Sequence, residues 1–282
     1  MPTTRLFPVT ALPRSASLAE AICTHWREYL MEGAEIAVLM LSTCIWGVFL
    51  YSGDSPLKLL GVPPGSKPTL MGAAVATTMF LIIRSPFGRR SGAHVNPAVT
   101  LAFFRLGRIH RWDAASYIAA HFAGGAVGVL AASEILGSRL AAPPVYYVVT
   151  LPGGYGSPAT FLYEFALAGI LMGTVLYSSN HRVLVRFTPL FVALLTVFYY
   201  ALSSSIAGFS LNPARTFASA LFAQTWRGIW IYFSAPCLGM LLAAEVYVKI
   251  FGADRVYCAK VFHDLHSTCP FRCRFERLYE ES

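Results

Sequence analysis

The sequence contains the triplet Asn-Pro-Ala twice, in "GAHVNPAVT" (residues 92–100) and in "GFSLNPART" (residues 208–216). Asn212 follows Asn96 by 116 residues, so the chain carries one copy in each half. Proline is favoured in the first turn of a helix, and asparagine is favoured just before it as a cap. Each triplet therefore predicts the N-terminus of a helix. The two predicted helix starts are Asn96, Pro97, Ala98 and Asn212, Pro213, Ala214.

The composition indicates a membrane protein. The chain has 282 residues, of which 56% are hydrophobic and 13% are charged, whereas soluble domains carry about 25% charged residues. The formal net charge of +8 raises the question of nucleic-acid binding. The sequence offers no basic helix with interleaved aromatic residues, and membrane proteins collect basic residues on their cytoplasmic loops. We therefore expect membrane lipids, and not nucleic acid, as partners.

Six apolar stretches approach the length of about twenty residues that a bilayer-spanning helix needs. Two of the connecting segments, 85–111 and 208–225, each contain one triplet followed by a short apolar run that cannot span a bilayer. We interpret these runs as re-entrant half-helices. The predicted spans are 34–52, 69–84, 112–135, 160–178, 187–207 and 226–250.

The order of these elements predicts an inverted repeat. Span, span, half-helix and span occur in this order twice, and three spans per half is an odd number. The second half must then enter the bilayer from the opposite side, which places a substrate path at the midplane between the halves. The predicted fold class is an all-α membrane protein with six transmembrane helices and two re-entrant half-helices.

The basic residues predict the orientation. Most of the 22 Lys and Arg residues fall on the side that carries both termini, and positive residues stay inside. We expect a plasma or bacterial inner membrane and three parts: a cytoplasmic N-terminal segment (1–30), a transmembrane channel domain (31–250, with halves 31–135 and 160–250) and a cytoplasmic tail (251–282). A capping box at residues 17–20 predicts a short helix at the cytoplasmic interface.

The two triplets predict a pore. If the half-helices enter from opposite faces, their N-termini meet near the membrane centre, each with a partial charge of about +0.5. Such a pore would bind the oxygen of a neutral solute and repel cations. The carbonyl groups before each asparagine would stay free as an acceptor track, because non-helical backbone is tolerated at this depth only where it lines a cavity. These residues are Gly92, Ala93, His94, Val95, Gly208, Phe209, Ser210 and Leu211.

The stretches "SGAHVNPAVT" and "NPARTF", in a six-span inverted repeat, resemble the aquaporin (major intrinsic protein) family over roughly residues 30–250. The resemblance implies a homotetramer with one pore per subunit and no required cofactor. The sequence offers no nucleophile–base pair or phosphate-binding loop, so we expect no enzyme activity. It also implies a selectivity filter on the extracellular side of the triplets, with Arg215 as its cation. Counting from each asparagine adds Ala76, Phe209 and Tyr200, although Tyr199 is an alternative to Tyr200.

Family markers favour water as the permeant. Glycerol facilitators have Asp where this chain has Thr216, Lys where it has Ala220, and Pro-Leu where it has Tyr232-Phe233. We expect a passive channel that conducts water and excludes protons and ions. The atypical filter leaves open a broader channel for glycerol, ammonia, hydrogen peroxide or metalloid acids. A coupled secondary transporter is the alternative from another class, disfavoured by the scarcity of carboxyl groups within the spans.

Ionisable side chains within the spans need partners. By resemblance, Glu35 and Glu164 would accept hydrogen bonds from the backbone of the two re-entrant loops. His121 lies where the family often has glutamine, and it would brace a loop in the same way.

The tail contains "CAKVFHDLHSTCPFRC" (residues 258–273). Three thiolates and an imidazole form a ligand set that suits zinc or another soft metal. The spacing matches no common zinc finger, so ordinary reduced thiols are the alternative, and His266 competes with His263 as the nitrogen ligand. The predicted ligands are Cys258, His263, Cys269 and Cys273.

Overall fold

The computed structural model describes residues 17–58, 60–203, 208–264 and 268–280. Residues 1–16, His266 and the predicted end of the fifth span at 204–207 lie outside the described residues. The helices in the described ranges are α1 (Leu18–Tyr51), α2 (Lys67–Arg84), α3 (Pro86–Ser91), α4 (Pro97–Arg105), α5 (Arg111–Leu136), α6 (Ser138–Ala141), α7 (Gly156–Ser179), α8 (Thr188–Ser203), α9 (Pro213–Ala223), α10 (Ile229–Phe251) and α11 (Arg277–Glu280).

Six helical segments in the described part of the chain are long and apolar enough to cross a bilayer. They correspond to α1, α2, α5, α7, α8 and α10, so the six predicted spans are confirmed. The fifth segment runs from Val185 to Leu202 because a short 3-10 turn precedes α8. The half-helices α4 and α9 begin at Pro97 and Pro213, as the two triplets predict.

The predicted interfacial helix at the N-terminus is wrong as a separate element. Its capping residue is confirmed, because the Glu20 N–H donates to Ser17 Oγ at 3.2 Å. The helix that starts there continues without a break to Tyr51. No proline interrupts it, and Gly33, which packs against the backbone of α5 at Ala120, lies within it.

The helix packing has the symmetry of an inverted repeat. Helix α1 packs on α5 as α7 packs on α10, and α2 packs on α8 across the centre. Each half-helix crosses into the other half, since α4 packs on α10 and α9 packs on α5. Exchanging the two halves leaves this set of contacts unchanged, and the predicted fold is thereby confirmed.

Small residues permit the closest of these contacts. A Cβ atom at Gly124 would overlap the backbone of Gly33, and one at Gly128 would overlap the backbone of Ala37. In the other half, a Cβ atom at Gly239 would overlap the backbone of Phe165. Both of the tightest helix pairs, α1–α5 and α7–α10, therefore depend on glycine.

The tail, residues 252–264 and 268–280, folds back over one end of the helix bundle. The Val261 N–H donates to the Gly92 carbonyl at 3.0 Å, and the Arg272 N–H donates to the Arg108 carbonyl at 3.3 Å. We call this end of the bundle the terminal face, because the start of α1 and the end of α10 also lie there.

Candidate pore and its two re-entrant loops

A cavity of about 110 Å³ lies where the two half-helices meet. One water molecule needs about 10–15 Å³ on this measure, so the cavity has room for several. Most of its wall is apolar and comes from α1, α2, α7 and α8. The polar groups on the wall include Asn96, Asn212, Ser210, Arg215, Tyr199 and Tyr200.

Each asparagine caps the half-helix that follows it. Asn96 Oδ1 accepts a hydrogen bond from the Ala98 N–H at 2.9 Å. Asn212 Oδ1 accepts from the N–H groups of Ala214 and Arg215 at 3.0 and 3.2 Å. The predicted caps are confirmed, and they commit the oxygen of each amide to the start of its helix.

The two amide nitrogens tie the loops to each other. Asn96 Nδ2 donates to the Leu211 carbonyl at 2.7 Å, and Asn212 Nδ2 donates to the Val95 carbonyl at 2.8 Å. Both carbonyls belong to residues with left-handed backbone, at φ 52° for Val95 and 54° for Leu211. This conformation is strained for residues other than glycine. Because an amide nitrogen carries two hydrogens, each asparagine keeps one donor for a solute.

The predicted carbonyl track is therefore only partly right. Ala93, His94, Phe209 and Ser210 line the cavity, together with Val95 and Leu211. The carbonyls of Val95 and Leu211 are not free, because they accept from the opposite loop. The Gly92 carbonyl accepts from the tail, and neither Gly92 nor Gly208 lines the cavity.

The second loop is braced as predicted. Glu164 Oε1 accepts from the Ser210 N–H at 2.8 Å, and Oε2 accepts from the Leu211 N–H at 2.7 Å. The Glu164 side chain is fully buried. One carboxyl group thus satisfies two backbone donors that the turn leaves without helical partners.

The first loop is braced by Glu32, and the prediction of Glu35 is wrong. Glu32 accepts from the N–H groups of His94 and Val95 at 3.0 and 2.8 Å, whereas Glu35 accepts only the Ser91 hydroxyl at 3.1 Å among the described residues. The two glutamates lie one turn apart on the same face of α1, so their order in the sequence did not distinguish them. His121 acts through Glu32, with Nε2 at 2.8 Å from Oε2.

The residues predicted to form the filter come together except for Ala76. The rings of Tyr200 and Phe209 lie 4.7 Å apart between centroids, and Tyr199 lies 5.8 Å from Phe209. Both tyrosines line the cavity, so neither register is excluded. Ala76 is buried but does not line this cavity, and α2 contributes larger side chains there, Val75 and Met79.

Arg215 supplies the positive charge of the cavity wall. It is 9% exposed, and its guanidinium lies beside the Tyr200 hydroxyl. Its Nη1 atom has no hydrogen-bond partner among the described residues. An arginine at this depth is costly unless it faces a wet cavity, and Arg215 lies on the cavity wall.

The tail brings its predicted ligand set together. The candidate ligand atoms of four side chains lie within 4.8 Å of one another, and Cys258 Sγ lies 3.4 Å from Cys269 Sγ. Burial by itself raises the pKa of the Cys269 thiol, but hydrogen bonds from Cys258, Cys273 and His263 outweigh it and hold that pKa well below its ordinary value. The four side chains are those of Cys258, His263, Cys269 and Cys273.

Sequence reasoning missed one lining residue from the tail. Val261 lies on the cavity wall and is held there by its own N–H bond to Gly92. Lys260, next to it, is buried and donates to the carbonyls of Arg89 and Thr268.

Comparisons with known proteins agree with this geometry. The family model described as Major intrinsic protein matches residues 15–247. A probable aquaporin TIP4-1 from Oryza sativa is 30% identical over 83% of this chain and 94% of its own length. Aquaporin NIP1-3 from the same species is 33% identical over 60% of this chain and 57% of its own length.

The solved structures give the same fold. The aquaglyceroporin from Plasmodium falciparum aligns with a TM-score of 0.66 at 20% identity, covering 82% of this chain and 99% of its own. The chain thus belongs to the major intrinsic protein family of membrane channels, and it is a multi-pass membrane protein.

Proposed function

We propose that the protein is a passive water channel that excludes protons and other ions. The observation that carries this proposal is the pair of asparagine amides at the cavity centre, each bonded to the opposite loop and each with one N–H left over. Two such donors from opposite sides would orient the oxygen of a passing water molecule and interrupt a continuous chain of water-to-water hydrogen bonds.

Electrostatics supports the exclusion of cations. Helices α4 and α9 point their N-termini at the centre, and each contributes about half a positive charge. Arg215 adds a full charge on the cavity wall. In a partly buried setting, two unit charges 4 Å apart interact by about 4 kcal/mol, so a cation at the filter faces a barrier that a neutral molecule does not.

The aromatic wall supports water ahead of larger solutes. Tyr200 and Phe209 pack edge to face at 4.7 Å, and the side chains that α2 presents, Val75 and Met79, are larger than the predicted Ala76. Curated relatives include proteins of the TIP and NIP types. A broader channel would also conduct glycerol, ammonia, hydrogen peroxide or metalloid acids, so the permeability test compares these solutes with water.

We also propose a homotetramer in a plasma or bacterial inner membrane, with the terminal face in the cytoplasm. The positive-inside rule supports this orientation, since the terminal face carries Arg89, Arg90 and Arg108. Cross-linking of the purified protein should give a four-chain product. A product limited to one chain would contradict the tetramer.

Stopped-flow light scattering of proteoliposomes tests the permeant. We expect faster water equilibration than in protein-free liposomes, with little added glycerol or ammonia flux. Met79→Trp, which fills the cavity, should abolish the water signal. Leu81→Trp places the same ring on the exposed side of α2 and should leave the signal unchanged. Glycerol flux well above that of protein-free liposomes would favour the broader solute range instead.

A further inference from the structure

The tail carries a cluster of four ligand side chains that the pore does not use. Cys258, Cys269 and His263 are buried, and Cys273 is partly buried. The Sγ atoms of Cys258 and Cys269 lie 3.4 Å apart, and Cys273 Sγ lies 3.2 Å from His263 Nε2. A disulfide would need about 2.0 Å between sulfurs, so the structure holds separate thiols whose ligand atoms converge.

We propose that the tail binds one zinc ion through these four side chains, and that the ion fixes the tail across the terminal end of the pore. Tetrahedral zinc has Zn–S distances of about 2.3 Å and Zn–N distances of about 2.0 Å, which set its ligand atoms about 3.5–3.8 Å apart. The observed separations run from 3.2 Å to at most 4.8 Å, so the shortest pairs need a slight expansion and the longest a contraction of about 1 Å. A set of three thiolates and one imidazole is typical of structural zinc.

The surroundings of the cluster suit a bound ion. Zinc with three thiolates leaves one net negative charge, and the buried Lys260 and the Arg108 guanidinium both interact with the cysteines. The His263 ring stacks on Phe275 at 4.2 Å between centroids. This stacking packs the ring in place, with Nε2 at 3.2 Å from Cys273 Sγ.

The cluster is connected to the pore by a few residues. Between Cys258 and His263 lie Ala259, whose carbonyl faces His94 Nε2 at 2.6 Å, and Val261, which lines the cavity. Between Cys269 and Cys273 lies Phe271, which stacks on the His94 ring at 5.5 Å. Closing the metal site therefore fixes both segments of the tail that touch the first re-entrant loop.

Metal analysis of the purified full chain tests the site, independently of what the pore conducts. We expect about one zinc per chain, as in other four-ligand structural sites. Cys269→Ser should lower zinc content or affinity at least about tenfold. The matched control is Cys237→Ser, which changes a thiol within α10 and should leave zinc unchanged. Equal zinc in Cys269→Ser, or none in the unmodified protein, overturns the proposal.

Cobalt substitution covers the case in which Cys269→Ser does not fold. The unmodified protein should give a thiolate-to-cobalt charge-transfer band and the visible bands of tetrahedral cobalt. His263→Cys keeps four ligands, so it should still bind the ion but with shifted visible bands. An unchanged spectrum in that variant excludes His263 as a ligand. A Cys258–Cys269 disulfide found by mass spectrometry would also overturn the proposal.

Limited proteolysis tests the second half of the proposal. Trypsin sites in the tail include Arg255, Arg272 and Arg274. Zinc that stabilises the folded tail should slow cleavage there by about tenfold relative to chelator-treated protein, since a ligand stabilises the state that binds it. Cleavage at the same rate with and without zinc would show that the ion does not hold the tail in place.

Discussion

The two re-entrant loops share one plan but differ in what surrounds them. In each loop a buried glutamate holds the N–H of the residue before the asparagine, with Glu32 bound to Val95 at 2.8 Å and Glu164 bound to Leu211 at 2.7 Å. In each loop that residue has left-handed backbone and offers its carbonyl to the opposite asparagine. The shared plan therefore builds the centre of the pore.

The two loops differ at two equivalent positions. Three residues after the asparagine the first loop has Val99 and the second has Arg215, and both line the cavity. The residue two positions before the asparagine is His94 in the first loop, where its ring reaches the tail. It is Ser210 in the second, where it bonds within its own loop. The arginine on the cavity wall thus belongs to one loop, and the attachment to the tail belongs to the other.

The largest effect should come from removing either brace. Glu32→Gln and Glu164→Gln each place an amide NH₂ group against a backbone donor in a buried site. Leaving such a donor unsatisfied costs about 1–3 kcal/mol, and Glu32 also loses its pairing with His121, so we expect about 3 kcal/mol for Glu32. Thermal unfolding of the purified protein in detergent measures both changes.

Glu35→Gln is the matched control for the first loop. Glu35 bonds only the Ser91 hydroxyl among the described residues, and glutamine can keep that contact, so the melting temperature should hardly change. A larger loss of stability from Glu35→Gln than from Glu32→Gln would contradict the assignment of Glu32 as the brace.

Arg215→Val gives the second loop the residue that the first loop has at the equivalent position, Val99. Removing the charge should lower the barrier to cations by more than 1.4 kcal/mol, which corresponds to at least about a tenfold larger proton leak. A pH-sensitive dye inside proteoliposomes measures this leak. Val99→Ala changes the equivalent residue of the first loop and should leave the leak unchanged. An unaltered proton leak in Arg215→Val would contradict the assignment of Arg215 to the filter.

The sequence predicted the local elements better than the contacts between distant segments. Proline and asparagine have strong local preferences at helix starts, so both half-helices and the inverted repeat followed from the two triplets. The choice between Glu32 and Glu35 depended on the rotation and depth of α1, which local sequence does not encode. The contact of Val261 with the cavity joins positions far apart in the chain, and no periodicity connects them.

The position of Ala76 illustrates the same limit. Counting from the asparagine gives a position along the sequence but not the rotation of α2, and Gly72 allows α2 and α8 to approach closely beside Tyr200. Val75 and Met79 then face the cavity. The contact between α2 and α8 thus determines which side chains of α2 reach the cavity wall. Such a contact depends on side-chain packing across the whole bundle, which local sequence does not reveal.

A moderate effect is expected where the tail meets the first loop. Val261→Phe adds a ring to the terminal end of the cavity and should slow water permeation several-fold by narrowing the path. Phe262→Leu changes the next residue, which does not line the cavity, and should leave permeation unchanged. Stopped-flow measurements compare the two variants. Equal permeation in both would show that water does not pass Val261.

The smallest expected effect is a difference in stability between threonine variants of the two loops. Thr100 Oγ1 lies 2.9 Å from His94 Nδ1, and Thr216 Oγ1 contacts the Ser210 hydroxyl. Thr100→Val removes that partner of the His94 Nδ1 atom, whereas Thr216→Val leaves the Ser210 hydroxyl still bonded to the Asn212 carbonyl. A lost buried hydrogen bond costs about 1 kcal/mol, so Thr100→Val should lower the melting temperature more than Thr216→Val. The reverse order would mean that the tail holds His94 without help from Thr100.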